Sequence, residues 1–339
     1  MNWIKCIVIC CIAYGCKTSY NKDFKTVADQ FFIEILDDEG IQVISPNADI
    51  DIVASGFQWT EGPLWIEDGN YLLFSDIPQN KVYKLDKHLD TSTYLFPSGF
   101  SGENFTGEEP GSNGLILDGQ GRLVLLQHGN RQIARMKSTI DSPKPEFESL
   151  VSQYQGKRLN SPNDGVMDHF GNLYFTDPPY GLPKRMKDEE KELDFQGVFC
   201  LKSDGELLLL DTLSRPNGIA LSPDKKYFYV GVSDSRHAVW YRYELGQPGE
   251  VVSKELFFDA TPWIGKPGFK GGPDGLKVNQ MGYVFATGPG GVWIFNPYGK
   301  PIARIRTGMS TANCAFAHHE KTLFMTADDF VLSVPLKKR

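Results

Sequence analysis

The sequence predicts an all-β chain, a six-bladed β-propeller with a central metal-binding channel, over residues 46–339. Three observations predict it. Short aromatic-rich strands replace long helices, a turn signal returns six times, and one oxygen-bearing residue stands at a fixed offset from each turn.

The first observation is compositional. Hydrophobic residues make up 41% of the 339 and charged residues 23%, which allows a large core and excludes wholesale disorder. Aromatics at 12%, with 34 Gly and 21 Pro, favour short strands joined by tight turns. The best helical candidate, Val27 to Leu36, lies ahead of the first repeat. A net charge of -7 with no Lys/Arg run excludes a phosphate-backbone partner, so no nucleic acid is expected.

The second observation is the repeat. Turn signals stand at Asp68-Gly69-Asn70, Gly119-Gln120-Gly121, Phe170-Gly171-Asn172, Pro223-Asp224-Lys225, Gln280-Met281-Gly282 and His319-Glu320-Lys321. Each is followed by an apolar strand: YLLFSD, RLVLLQH, NLYFTD, KYFYVGVSD, YVFATG and TLFMTAD. A spacing of roughly 40 to 60 residues is that of four-stranded propeller blades. A β-sandwich has similar strands but gives no reason for a polar residue to recur ahead of every turn. A parallel β-helix needs a much shorter repeat.

The third observation is that polar residue. Eight residues before each turn anchor stand Glu61, Asn113, Asn163, Asn217, Asp274 and Asn313. The innermost strands of a propeller line its channel, so these six converge on the axis. Asn or Asp before Gly is a turn former, and one alone carries little meaning. Six at a matched offset, two of them carboxylates, make an oxygen-rich hard-cation environment. One divalent cation is expected, calcium favoured, with magnesium, manganese or zinc as alternatives. Glu61, Asn217 and Asp274 are its expected ligands, leaving positions open for water or substrate.

A second strand returning to the same face brings Asp76, His128, Asp177, Asp234, Thr287 and Asp328 back to that opening. The Asp residues read as turn or cap residues. His128, in Gln127-His128-Gly129-Asn130-Arg131, reads as a proton carrier or sugar-hydroxyl ligand, or equally as a structural histidine.

The N-terminus reads separately. Residues 1–16 have a short positive start and an apolar run from Cys6 to Tyr14, too short to span a bilayer and suited to a signal peptide. Ile12-Ala13-Tyr14-Gly15-Cys16 resembles a bacterial lipoprotein signal, so Cys16 is expected to carry lipid and residues 17–45 to form a tether and lead-in. An exported, periplasm-facing lipoprotein follows, touching the membrane through that anchor alone. Four of six cysteines lie in the signal; Cys200 and Cys314 remain and read as buried thiols rather than a bridge.

Thr60-Glu61-Gly62-Pro63-Leu64-Trp65, Ser161-Pro162-Asn163-Asp164-Gly165, Arg215-Pro216-Asn217-Gly218 and Gly272-Pro273-Asp274-Gly275 together resemble the regucalcin/gluconolactonase (senescence marker protein) family over roughly residues 50–335. Gln127 to Arg131 resembles a motif of its bacterial gluconolactonase-like members. The resemblance implies a metal on Glu61, Asn217 and Asp274, with Asn163 at its water or substrate. It further implies Asp274 as the base for attack of water on a lactone carbonyl. Asp274 and Glu61 are therefore the expected catalytic residues, and Asn163, Asn113 and His128 the expected substrate-binding ones. The chain departs from vertebrate members in having Ser161 where they place a substrate-contacting Arg.

The expected function is metal-dependent hydrolysis of a small sugar lactone by a monomer. A non-enzymatic ligand-binding propeller of the cell envelope, or another ester or organophosphate hydrolase on the same metal site, is the alternative. The charged stretch 183–194 reads as a solvated loop or a lid, and Trp263 as an inter-blade residue or a sugar platform.

Overall fold

The computed structural model describes residues 30–337. The signal segment with Cys16 and the tether that follows it lie outside the described residues. Six antiparallel sheets of the described chain are the six blades, each numbered here by the order of its inner strand. The inner strands are Thr60–Ile66, Ser112–Leu117, Gly165–Met167, Pro216–Leu221, Leu276–Val278 and Thr311–Ala317. Each pairs with the next strand in sequence, and successive strands step outward. Short 3-10 turns such as Asp38–Gln42 are the helical content among the described residues.

The core is divided six ways. Separate apolar clusters fill each gap between neighbouring blades, for example Leu72 and Phe74 of blade 1 against Ala315 and Phe324 of blade 6. Tyr174 and Cys200 of blade 3 meet Phe228 and Tyr243 of blade 4 in another. The two thiols belong to different clusters and are free and buried, Cys200 between blades 3 and 4 and Cys314 between blades 5 and 6.

The ring is closed by the N-terminal part of the chain. Asp51–Ser55 is the outer strand of blade 6, pairing with Phe330–Pro335. Within the best helical candidate, Val27 to Leu36, the described residues hold no helix: Phe32–Ile35 is a strand, a fifth one on the outer edge of blade 5. Four residues are too few for periodicity to separate helix from strand. What decides it is the edge of Pro301–Arg306, where Arg304 and Arg306 both pair with Glu34. The lead-in boundary at residue 45 shifts accordingly, since residues 32–35 already belong to a blade.

Two devices position the channel residues. Pairing between first and second strands slips at the ring position in blades 1, 2, 4 and 6, as between Glu61 and Leu64 or Pro216 and Ile219. A bulge bends the strand and re-aims its side chain, here toward the axis. The glycine after the ring residue lets neighbouring strands approach closely. A Cβ on Gly218 would stand 2.2 Å from the carbonyl oxygen of Asp274, and one on Gly62 2.1 Å from that of Asn113. Second-strand hydroxyls then latch four of the blades to the next: Ser75 Oγ donates to Asn113 O at 2.8 Å, and Thr287 Oγ1 to Ala312 O at 2.9 Å. Thr176 and Ser233 do the same to Asn217 and Pro273.

Candidate functional site

Five of the six ring residues, Glu61, Asn113, Asn163, Asn217 and Asp274, line one cavity of about 230 Å³. The inner strands deliver them from five directions, as the repeat requires. Glu61 is 3% exposed and accepts a hydrogen bond from the backbone N–H of Gly62 at 3.1 Å. Asp274 keeps part of its surface on the cavity, yet its Oδ1 is buried without a hydrogen-bond partner. Asn113 Oδ1 is buried and unpartnered as well. Asn217 donates through Nδ2 to Ser233 Oγ at 3.0 Å, which fixes its amide.

Burial raises the Glu61 carboxyl to about 8, helped by the neighbouring charge of Asp164. Burial and then the Glu61 charge push Asp274 well above the usual carboxylate range. Two carboxyl groups thus share one cavity, and neither is ion-paired with an arginine or lysine among the described residues. Buried charges are stabilised by pairing or by a metal, and the bare oxygens of Asp274 and Asn113 ask for a cation or a donor. A divalent cation fits this donor set. Among the described residues no three His, Cys, Asp or Glu side chains form a metal-binding group by themselves, and the ring members between the acids are amides. Carboxylate and amide oxygens are hard-cation ligands.

A family model described as SMP-30/Gluconolactonase/LRE-like region matches residues 59–329, most of the propeller just described. The chain belongs to this family. It is 38% identical over 300 residues to the gluconolactonase of Zymomonas mobilis, covering 87% of this chain and 83% of that protein. A lactonohydrolase of Aspergillus oryzae is 24% identical, covering 82% and 68%. Among solved structures, the gluconolactonase of Xanthomonas campestris superposes with a TM-score of 0.76 at 27% identity, covering 90% of this chain and 95% of that one.

The remaining expected residues of this SMP-30/gluconolactonase-type chain fall elsewhere. Asn313, the sixth ring member, does not line the cavity; its Nδ2 donates to Asp164 Oδ2 at 3.3 Å and Lys277 Nζ reaches its Oδ1 at 3.2 Å. His128, read as a substrate ligand or equally as a structural histidine, is wholly enclosed and does not line the cavity. The segment at Gly181 packs directly over its Cβ. Its Nδ1 instead meets Glu109 Oε2 at 2.8 Å. Asp76 and Asp177 are caps, accepting the backbone N–H groups of Gln58 and Trp59 and of Asn160 and Ser161. Trp263 packs edge-on against Trp293 between blades 4 and 5; Trp59 is the tryptophan on the cavity wall.

Several wall residues escaped sequence reasoning. Glu109, Tyr180 and Arg185 line the cavity from connections of irregular length, which carry no repeat signal. Arg185, in the charged stretch read as loop or lid, stacks on Tyr180 with its guanidinium 5.3 Å from the ring. Asp164 did leave a signal, since it replaces the glycine that follows the ring residue in four other repeats. Ser161 donates to Pro178 O and accepts from Gly181 N at 2.9 Å, and so pins the segment that carries Tyr180.

Proposed function

We propose that this protein is a metal-dependent lactonase that opens a sugar lactone by attack of water on the carbonyl carbon. The observation that carries the reading is the pair of buried, raised carboxyl groups, Glu61 and Asp274, facing one cavity beside the bare oxygen of Asn113. The 38% identity to a gluconolactonase over most of both chains supports the substrate class.

Glu61, Asn217 and Asp274 would hold one divalent cation, calcium favoured. When bound, it supplies Lewis-acid polarisation of the lactone carbonyl. Ser233 fixes the Asn217 amide through its Nδ2, which leaves the amide oxygen for the cation. Asn163 and Asn113 orient the substrate. Trp59 and Tyr180 narrow the wall around it, and burial with the Asp274 charge raises the Tyr180 phenol, so it stays a neutral donor. Asp274, through its unpartnered Oδ1, takes a proton from the attacking water and returns it to the departing ring oxygen. One water is consumed and one hydroxy acid forms. We further propose that the chain is exported and lipid-anchored at Cys16, and acts as a monomer.

The test is hydrolysis of glucono-δ-lactone by purified protein treated with chelator and then resupplied with single divalent ions. Activity that falls at least about 100-fold with chelator and returns with one ion is expected, since a Lewis-acid cation contributes several kcal/mol. Full activity in excess chelator would refute the metal role.

A further inference from the structure

We infer that Glu109, held in place by His128, recognises the hydroxyl groups of the lactone ring and so sets the preference for polyhydroxylated over plain lactones. The inference rests on the lactonase reading above, and goes beyond it by naming the residue that selects the substrate.

Glu109 lines the same cavity as Glu61 and Asp274 but does not belong to the ring. It stands three residues ahead of the inner strand Ser112–Leu117 and keeps 24% of its side chain open. One oxygen, Oε2, is engaged by His128 Nδ1 at 2.8 Å. An ionised carboxylate only accepts hydrogen bonds, and a sugar ring offers hydroxyl donors.

The histidine adds a second observation. His128 has no exposed surface, and its Nε2 is buried with no partner. Enclosing a polar nitrogen unsatisfied costs stability, and such a group in a native structure calls for a reason. The fold supplies none. At the matching position of blades 1 and 3, Asp76 and Asp177 accept backbone N–H groups two and three residues before the ring residue. In blade 2 the residue three before Asn113 is Pro110, which has no N–H, and the N–H of Gly111 already donates to Ile77 O. Capping is no longer needed there. The position is given to an imidazole whose hydrogen bond goes to the side chain of Glu109 and not to the backbone. The hydrogen bond of His128 goes to Glu109, so His128 acts as a positioning residue for that carboxylate.

The test compares two substrates in the intact protein: glucono-δ-lactone, with ring hydroxyls, and δ-valerolactone, without them. In Glu109→Gln the ratio of kcat/KM for the first to the second is expected to fall about 10- to 100-fold, mainly through KM for the hydroxylated lactone. His128→Phe, which keeps the ring and loses the donor, should lower the ratio in the same direction. His128→Asn, whose amide nitrogen stands where Nδ1 stood, should recover part of it. Thermal midpoints and divalent-cation binding, followed by calorimetry, report folding and the ring separately. A ratio equal to wild type in Glu109→Gln, or no recovery in His128→Asn relative to His128→Phe, would overturn the inference alone. A wild-type protein that hydrolyses neither lactone with any divalent ion would overturn the lactonase reading, and this inference with it.

Discussion

At position 61 the chain places a carboxylate almost out of reach of water, beside a second one, and surrounds both with amides. Without a cation that arrangement destabilises the fold: burial and the charge of Asp164 raise Glu61 to about 8. The same residue is a ligand when a cation is present. Glu61→Gln therefore has opposite effects on two measurements. The amide keeps the shape and removes a buried charge that stands beside other carboxylates, so the chelated protein at pH 8 should gain about 1–2 kcal/mol of stability in denaturant unfolding. Cation binding and lactone hydrolysis should fall at least about 1,000-fold. A variant that lost stability in chelator would show that Glu61 is structural in its own right.

At the scale of elements, the segment from Pro178 to Arg185 shows how a small residue admits a wall. Ser161 Oγ bridges Pro178 O and Gly181 N, and a Cβ on Gly181 would lie 2.9 Å from the Ser161 Cβ. A long side chain at 161 and this segment cannot share the space. Ser161→Arg should expel the Tyr180 segment, raise KM for the lactone about 10-fold or more, and speed protease cleavage within 178–194. Unchanged cleavage and KM would mean that the segment is held by other contacts. The same contrast explains what could be read in advance. The ring positions were legible because the stretch from ring residue to turn keeps one length, so an offset of eight residues carries across six repeats. Glu109, Tyr180 and Arg185 were not, because the connections that carry them differ in length and meet only in space. The strand Phe32–Ile35 was illegible for another reason. Its partner is Pro301–Arg306, far along the chain, and its own four residues do not exclude a helix.

At the scale of the whole molecule, six blades bring buried acids to one axis, and stability becomes tied to pH through them. Glu61 has a folded-state pKa near 8 against 4.5 when free, and Asp274 is raised in the same direction. A raised carboxyl binds more protons folded than unfolded, so its stabilising contribution is complete below about pH 4.5 and is lost as pH climbs through 8. The chelated protein should lose a few kcal/mol over that window, seen as a falling thermal midpoint between pH 5 and 8 at constant ionic strength. A cation that binds the ionised acids reverses this, because binding competes with protons and strengthens as pH rises. With saturating divalent ion the decline should shrink without vanishing. Asp177, also raised by burial, to about 7, is engaged by the backbone of Asn160 and Ser161 and lies beyond the ion's reach as a ligand. The gap between the two melting profiles, with and without ion, should therefore widen from pH 5 to pH 8. Parallel profiles would place the cation somewhere other than between Glu61 and Asp274.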